Sequence, residues 1–443
     1  MKIQHKVFDT SKKISRFFSL LLSFIMIFAL AACAAGATGE NALPPENSAD
    51  VAAASEVVPV AETSADVSSI KEILAEGQQN AQASEQFKFE MRSDITTMDL
   101  VKEMELGINL GNTMEACGDW IDSSSISNYE RAWGSPLITE EIIAGYAKAG
   151  FKSLRVPVAW SNMMADDYTI HPDLLNRVEQ IVNWGLDNGL IVMVNEHWDG
   201  GWWENMTDNH DMIVEKFESI WTQVSERFKD YGDRLMFEAM NEVGYSNVWN
   251  EWAPAGPDND KAKAIGYVNE LNQLFVDTVR ASGGNNATRH LVIEGYYTNI
   301  DHSSDPLFKM PQDEAGRCAL TVHYYDPPTF AIIEEDVSWG KAQSTWGTEE
   351  EIAHLDAQME KMKTNFVDKG IPVIIGEFGA GGKNKTQEMI RFYEVSIFEA
   401  AYSKGMCPML WDTPGGQYDR LLCDFLDPLF KEEVMAIRDK YKG

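Results

Sequence analysis

The stretch PVIIGEFG, residues 372–379, is a short apolar run that ends in a carboxylate and an aromatic ring. Similar apolar runs recur along the chain, and amphipathic stretches lie between them. In one such stretch Ile213, Phe217 and Val224 fall on one face of a helix. Strands that alternate with helices build a parallel sheet, and eight such units predict a (β/α)8 TIM barrel, of the α/β class. The predicted strands are 106–110, 153–158, 190–194, 235–239, 291–294, 319–322, 372–375 and 408–411.

Polar and aromatic residues occupy the C-terminal ends of most of these predicted strands. In a barrel of this class the loops at those ends carry the chemistry. The residues concerned are Asn109 and Asn112, Arg155, Asn195 to Trp198, Asn241 and Glu242, His323 to Tyr325, Glu377, and Trp411 with Asp412. We therefore expect the active site at this end of the barrel.

Two carboxylates stand out among these residues. Glu242 and Glu377 follow the fourth and seventh predicted strands, so they face each other across the barrel mouth. Glycoside hydrolysis needs one carboxylic acid and one carboxylate, and retaining enzymes hold them about 5 to 5.5 Å apart. Either motif alone is also typical of a solvated loop or a helix cap. Together, at these two strand ends, they favour a retaining glycoside hydrolase.

The composition limits the classes of partner. The formal charge of −32 at pH 7 repels nucleic acid and anionic lipid and suits a neutral substrate. The 13 Trp, 14 Tyr and 20 Phe offer rings that either stack on sugars or fill the core. Among Cys33, Cys117, Cys318, Cys407 and Cys423 there is no CxxC pair and no zinc-ligand spacing. We expect mostly free thiols, no metal, no cofactor and a monomer.

The N-terminus resembles a bacterial lipoprotein signal. A basic stretch ends at Arg16, an apolar run covers residues 17–32, and small residues precede Cys33. By that resemblance residues 1–32 are removed and Cys33 is lipid-modified, which tethers the protein to the outer cell surface. A plain secretory signal and an uncleaved anchor are the alternatives, and all three place the protein outside the cytoplasm.

The next segment, residues 33–90, predicts a flexible low-complexity tether. Between residues 34 and 86 it contains no aromatic residue, one basic residue (Lys71), and many Ala, Ser, Glu and Pro, so it lacks the apolar surface for a core. A small helical module near residues 68–78 is the alternative, because Ile70, Ile73 and Leu74 are spaced for one helical face. The single catalytic domain is then residues 91–443.

As a set, the strand-end motifs resemble family five glycoside hydrolases, the cellulase-type barrels, over residues 94–443. The motifs are GINLGNT (107–113), RVP (155–157), NE (241–242), HYY (323–325) and IGEFG (375–379). The resemblance implies that Glu242 is the acid/base and Glu377 the nucleophile. It also implies that Asn241 binds a sugar 2-hydroxyl and that Arg155 and Tyr325 hold Glu377. A neighbouring guanidinium favours ionised carboxylate, so we expect Arg155 to hold the pKa of Glu377 low.

The same resemblance assigns three further residues and shows one departure. It implies that His197 and His323 hydrogen-bond sugar and carboxylates, and that Trp411 is the floor of the subsite where the bond breaks. Many relatives carry two adjacent histidines after the third strand, whereas the second position here is Trp198. An indole mainly stacks where an imidazole hydrogen-bonds, so the sugar preference of the neighbouring subsite stays open.

Alternatives to a β-glucanase follow from the same features. A non-catalytic sugar-binding lipoprotein would also be exported and rich in tryptophan, but such a binder has no use for two opposed glutamates. A metallohydrolase barrel is disfavoured because no HExxH occurs and no HxH follows the first strand. Among substrates we expect β-1,4-glucan first, xyloglucan or xylan second and mannan third, because barrels of one family accept different backbones.

Overall fold

A computed structural model describes residues 84–254 and 256–442 of the 443-residue chain. The predicted signal, Cys33 and residues 33–83 of the predicted tether lie outside the described residues. Within the described part, no helix has both the length and the apolar composition that a membrane span requires.

Eight parallel strands close into one barrel in chain order, with β1 paired to both β2 and β8. The predicted (β/α)8 barrel is therefore confirmed. The barrel strands are β1 (Gly107–Asn109), β2 (Ser153–Val156), β3 (Ile191–Asn195), β4 (Leu235–Glu238), β5 (Leu291–Glu294), β6 (Cys318–Tyr324), β7 (Val373–Phe378) and β8 (Cys407–Leu410). A small antiparallel pair, β9 (Tyr418–Asp419) and β10 (Asp424–Phe425), follows the barrel.

Helices surround the barrel and pack their apolar faces on it. They are α1 (Thr97–Glu103), α2 (Ile126–Ala132), α3 (Glu140–Ala149), α4 (Pro172–Asp187), α5 (Met206–Arg227), α6 (Lys261–Ala281), α7 (Ile300–Ser303), α8 (Pro328–Ala331), α9 (Glu349–Asn365), α10 (Gln387–Tyr402) and α11 (Pro428–Tyr441). In α5 the buried residues include Ile213, Phe217 and Val224, as the helical spacing predicts. Local sequence also determines where a helix begins. At the start of α9, Thr348 and Glu351 form a capping box.

The barrel interior has an apolar floor and a polar upper layer. Met193, Met236 and Val292 point inward and pack with Leu100 and Met104, so α1 and the residue after it close the bottom. Side chains alternate across a strand, so the residues two positions further along β3, β4 and β5 also face inward. Those residues are Asn195, Glu238 and Glu294, all fully buried. The alternation thus places one amide and two carboxyl groups at the C-terminal mouth.

Residues 87–90, predicted to belong to the tether, lie against the barrel. The Phe87 ring packs under the Arg234 guanidinium at 4.2 Å, and the backbone carbonyls of Lys88 and Glu90 accept hydrogen bonds from residues 232 and 233. These contacts favour a barrel domain that begins before Phe87, while the boundary at residue 91 stays a prediction. The four described cysteines, Cys117, Cys318, Cys407 and Cys423, are free thiols, as expected.

Candidate active site

Arg155 is the centre of the polar layer at the barrel mouth. It lies on β2, is fully buried, and its Nε donates to Glu238 Oε2 at 2.6 Å. Its Nη1 donates to Glu377 Oε1 at 2.6 Å and to Asn109 Oδ1 at 3.0 Å. Its Nη2 donates to Asn241 Oδ1 at 2.7 Å. One guanidinium thus fixes four side chains, and the two carboxylates Glu238 and Glu377 raise its pKa against the opposing effect of burial.

Glu377 is held from two sides. The hydroxyl of Tyr325 donates to Glu377 Oε2 at 3.1 Å, opposite the bond from Arg155. Val322 of β6 pairs with Ile375 of β7, whereas the next residue of β6, His323, pairs with Glu377. This register shift places His323 beside Glu377. Both carboxylate oxygens therefore have a donor, which fixes the plane of the carboxylate.

Gly376 makes this register shift possible. A Cβ at position 376 would lie 2.4 Å from Thr321 Oγ1 and 3.2 Å from His323 Nε2, so any larger residue would push these side chains away.

Glu242 lies in the loop after β4 and faces Glu377 through His323. His323 Nδ1 is 2.8 Å from Glu242 Oε1 and 3.7 Å from Glu377 Oε2. One oxygen of each carboxylate and one ring nitrogen of His323 all lie within 4.8 Å of one another. Such a group has the spacing of a cation site, but the positive charge of Arg155 is already bonded to Glu377 and opposes a second cation.

Burial and neighbouring charges shift the pKa values of the two carboxyls and of His323. Burial raises the pKa of Glu242 to about 7, and Arg155 offsets part of that rise. Burial also raises the pKa of Glu377, with His323 and Arg155 acting in the opposite direction. Arg155 therefore acts on the pKa of Glu377 in the expected downward direction, but removal from water outweighs the guanidinium. Burial lowers the pKa of His323 to about 4, so its ring is neutral at pH 7.

Asn241 and His197 complete the mouth. The amide oxygen of Asn241 is taken by Arg155, while its buried amide nitrogen has no hydrogen-bond partner among the described residues. The His197 ring stacks on the Trp411 ring, with centroids 5.6 Å apart and planes 3° from parallel. Asn195 Nδ2 lies 3.2 Å from His197 Nδ1. A free amide donor and a stacked pair of flat rings thus border the two carboxyls.

Trp198 does not join this group. Its ring is partly buried against the hydrophobic core, and its side chain hydrogen-bonds Glu204. No hydrogen bond or ring contact connects it to Glu242 or Glu377 within residues 84–254 and 256–442. The structure therefore brings together every predicted site residue on the described chain except Trp198.

Two further buried glutamates belong to the site, and the sequence motifs did not identify them. Glu238 is the second carboxylate on Arg155, and Glu294 accepts hydrogen bonds from the backbone of Glu242 and Val243. Both lie inside the predicted strands rather than after them. The signal was present in the sequence, since a charge two positions after an inward apolar residue must face the same interior.

Comparisons with known proteins agree with this geometry. The family model for Cellulase (glycosyl hydrolase family 5) matches residues 114–415. Endoglucanase A of Paenibacillus barcinonensis is 35% identical over 353 residues, which cover 73% of this chain and 84% of that protein. A xyloglucan-specific endo-beta-1,4-glucanase of Bacteroides ovatus is 37% identical over 340 residues, covering 72% of this chain and 65% of that protein.

Solved structures give the same result. A GH5-4 broad specificity endoglucanase from an uncultured bovine rumen ciliate superposes with a TM-score of 0.70 at 33% identity, covering 78% of this chain and 99% of that one. A GH5 family lichenase from Caldicellulosiruptor sp. F32 superposes with a TM-score of 0.70 at 32% identity, covering 80% and 97%. Because the family model matches more than half of the chain and these relatives align over most of it, the chain belongs to glycosyl hydrolase family 5.

Proposed function

We propose that the protein is a retaining endo-acting glycoside hydrolase that cleaves β-1,4-linked glucan, either cellulose or mixed-linkage glucan. One observation carries the proposal. The Glu242 and Glu377 carboxyls face each other with one oxygen of each within 4.8 Å, and only Glu377 has both oxygens bonded by fixed donors. This close approach suits double displacement, in which the carboxyl groups stand about 5 to 5.5 Å apart, better than single displacement, in which they stand about 6.5 to 9.5 Å apart.

In the first step Glu377 attacks the anomeric carbon while Glu242 gives its proton to the glycosidic oxygen. The glycosidic bond breaks, the shortened glucan leaves with a new hydroxyl group, and a covalent glycosyl ester forms on Glu377. In the second step Glu242, now a carboxylate, takes a proton from water as the water attacks the same carbon. The ester breaks, and the sugar leaves with its original anomeric configuration.

The surrounding residues support this chemistry. The free amide N–H of Asn241 is available to a sugar 2-hydroxyl, and Arg155 fixes the orientation of that amide. The stacked rings of Trp411 and His197 offer a flat face to the sugar at the cleavage point. The neutral ring of His323 links the two carboxyls, and its second nitrogen has no hydrogen-bond partner in the part of the chain that the structure describes.

The substrate class is supported by what the relatives are named for. They include endoglucanases, a lichenase and a xyloglucan-specific endo-beta-1,4-glucanase. We therefore place β-1,4-glucan first, xyloglucan or xylan second and mannan third. Purified polysaccharides with product sizing test this order. We expect rapid loss of chain length on mixed-linkage glucan and carboxymethyl cellulose, and a preference for mannan would contradict it.

We further propose that the enzyme acts outside the cell, attached through a lipid on Cys33 and the tether that follows. The lipoprotein-like segment that ends at Cys33 supports this location. Incorporation of labelled palmitate in a bacterial host tests it. We expect labelling of the wild type and none of Cys33→Ser, and an unlabelled wild type would contradict the anchor.

The pH dependence of kcat/KM follows from Glu242. Because burial raises its pKa to about 7, the carboxyl stays protonated below pH 7 and loses its proton above it. With aryl cellobiosides whose leaving group needs a proton, we expect kcat/KM to fall as the pH rises through about 7. With a 2,4-dinitrophenyl leaving group, which departs without a proton, this alkaline limb should vanish. An alkaline limb that is identical for both substrates would remove Glu242 as the acid.

A further inference from the structure

Glu294, at the end of β5, has a carboxylate that the chemistry described above does not use. It is fully buried and lies next to the loop that carries Glu242. Its Oε2 accepts the backbone N–H of Glu242 at 2.8 Å, and its Oε1 accepts the backbone N–H of Val243 at 2.7 Å. A buried carboxylate whose two oxygens accept hydrogen bonds from two consecutive backbone N–H groups fixes the orientation of the backbone there.

That backbone has an unusual conformation. Glu242 has φ 52°, in the left-handed region that non-glycine residues rarely adopt. Such a conformation is unfavourable for a residue with a side chain and persists only where the surroundings enforce it. The strain therefore lies at the residue whose side chain faces Glu377, and an outside constraint is needed to maintain it.

The segment after β5 supplies this constraint on both sides of the turn. Glu294 holds the two amide N–H groups, while the N–H of Tyr297 donates to the carbonyl of Val243 at 2.9 Å. The Tyr297 ring also packs closely on Gly244, because a Cβ at position 244 would lie 2.4 Å from the ring. Residues 242–244 are thus clamped by β5 and its loop rather than by their own strand.

We infer that Glu294 is a positioning residue for the acid/base group: its carboxylate holds the strained peptide at Glu242 so that the side chain meets the glycosidic oxygen. This inference rests on the proposed function, because it assumes that Glu242 gives the proton. It assigns Glu294 no contact with the sugar. Its loss therefore harms proton donation and spares the attack by Glu377.

The test uses Glu294→Gln and two aryl cellobiosides that differ only in their leaving group. The amide keeps the size of the side chain but turns an N–H donor toward one of the two backbone N–H groups, so the turn must shift. For phenyl cellobioside, which needs the proton, we expect kcat/KM to fall about 10²-fold, the loss expected for about 1 Å of misplacement. For 2,4-dinitrophenyl cellobioside we expect a loss below about 3-fold, since no proton is needed.

The ratio of the two kcat/KM values is the decisive quantity. It does not depend on the concentration of active enzyme, so a variant that is only partly folded still gives a valid ratio. Asn272→Ala is the matched control, because Asn272 is fully buried and bonds the backbone carbonyl of Glu294 at 2.7 Å but not its carboxylate. We expect the wild-type ratio in this control.

Glu242→Ala, measured in parallel, separates the two hypotheses. If Glu242→Ala shows the leaving-group dependence and Glu294→Gln does not, Glu294 has no positioning role and the inference is overturned. If Glu242→Ala itself loses activity equally on both substrates, the proposed acid/base role fails. A changed ratio in Glu294→Gln, with Asn272→Ala unchanged, supports the positioning role.

Discussion

Glu377→Ala is expected to abolish turnover of glucan and of activated aryl glycosides, with kcat lowered at least about 10⁴-fold. The variant lacks the group that forms the glycosyl ester, and no leaving group compensates for a missing nucleophile. Added azide fits the space left by the carboxylate and should restore cleavage of a 2,4-dinitrophenyl glycoside as an α-glycosyl azide. Residual activity above about 1% of wild type, unchanged by azide, would contradict the assignment.

Glu130 offers the matched control for this loss. Its side chain is as buried as that of Glu377, but it pairs with Arg177 on the outside of the barrel at 2.6 Å. Glu130→Ala therefore removes a buried carboxylate without touching the cleft. We expect kcat per folded molecule within about 3-fold of wild type, as for substitutions outside an active site. A loss comparable to that of Glu377→Ala would show that the assay reports folding rather than chemistry.

Arg155→Ala is expected to lower the free energy of unfolding by about 3–5 kcal/mol, the typical result of breaking a buried ion pair. The guanidinium bonds Glu238 and Glu377 at 2.6 Å each, and their side chains are 0% and 3% exposed. Without it two carboxylates stay buried with no counter-charge. Urea unfolding followed by circular dichroism at pH 7 measures the change. A loss below about 1 kcal/mol would show that water or protonation already compensates for the guanidinium.

Lys363→Ala is the control for that measurement. Lys363 and Asp368 form an exposed pair, with 34% and 49% of their side chains accessible. Exposed pairs contribute little to stability, so this variant should unfold at nearly the same urea concentration as wild type. The contrast isolates the effect of burial on the same type of interaction.

Much of the fold follows from the sequence because each barrel strand is a short apolar run. The predicted β5, residues 291–294, agrees with the structure in full, and most of the others differ by one or two residues at an end. The largest differences are in β6 and β7, which extend to Tyr324 and Phe378. Their pairing continues past an irregular register that depends on the close approach of Gly376 to Thr321. This register depends on how two strands fit together in three dimensions, and no periodic pattern of residues in the sequence indicates it.

The site was predictable where residues follow the strands and less so where they lie within them. Arg155, Asn241 and Tyr325 were expected around the carboxyl pair and lie there. Glu238 and Glu294 were treated as strand residues, although strand alternation places them inside the mouth. The sign of the pKa shift of Glu377 depends on how completely water is excluded, which motifs do not encode.

Trp198 shows a different limit. Its indole hydrogen-bonds Glu204 and packs partly against the core, so its predicted contact with the substrate stays a prediction. His197 and Trp198 are therefore neighbours in sequence, but their side chains lie in different surroundings. Its partner is a local side chain that no motif identified.

Double displacement through Glu377 is tested most directly by the anomeric configuration of the first product. Proton nuclear magnetic resonance can follow the anomeric signals during the first minutes of hydrolysis of a β-1,4-linked cello-oligosaccharide, before mutarotation. The distance between the Glu242 and Glu377 oxygens, within 4.8 Å, predicts that the β-anomer forms first and the α-anomer appears only later. A first product in the α-configuration would contradict the nucleophilic role of Glu377.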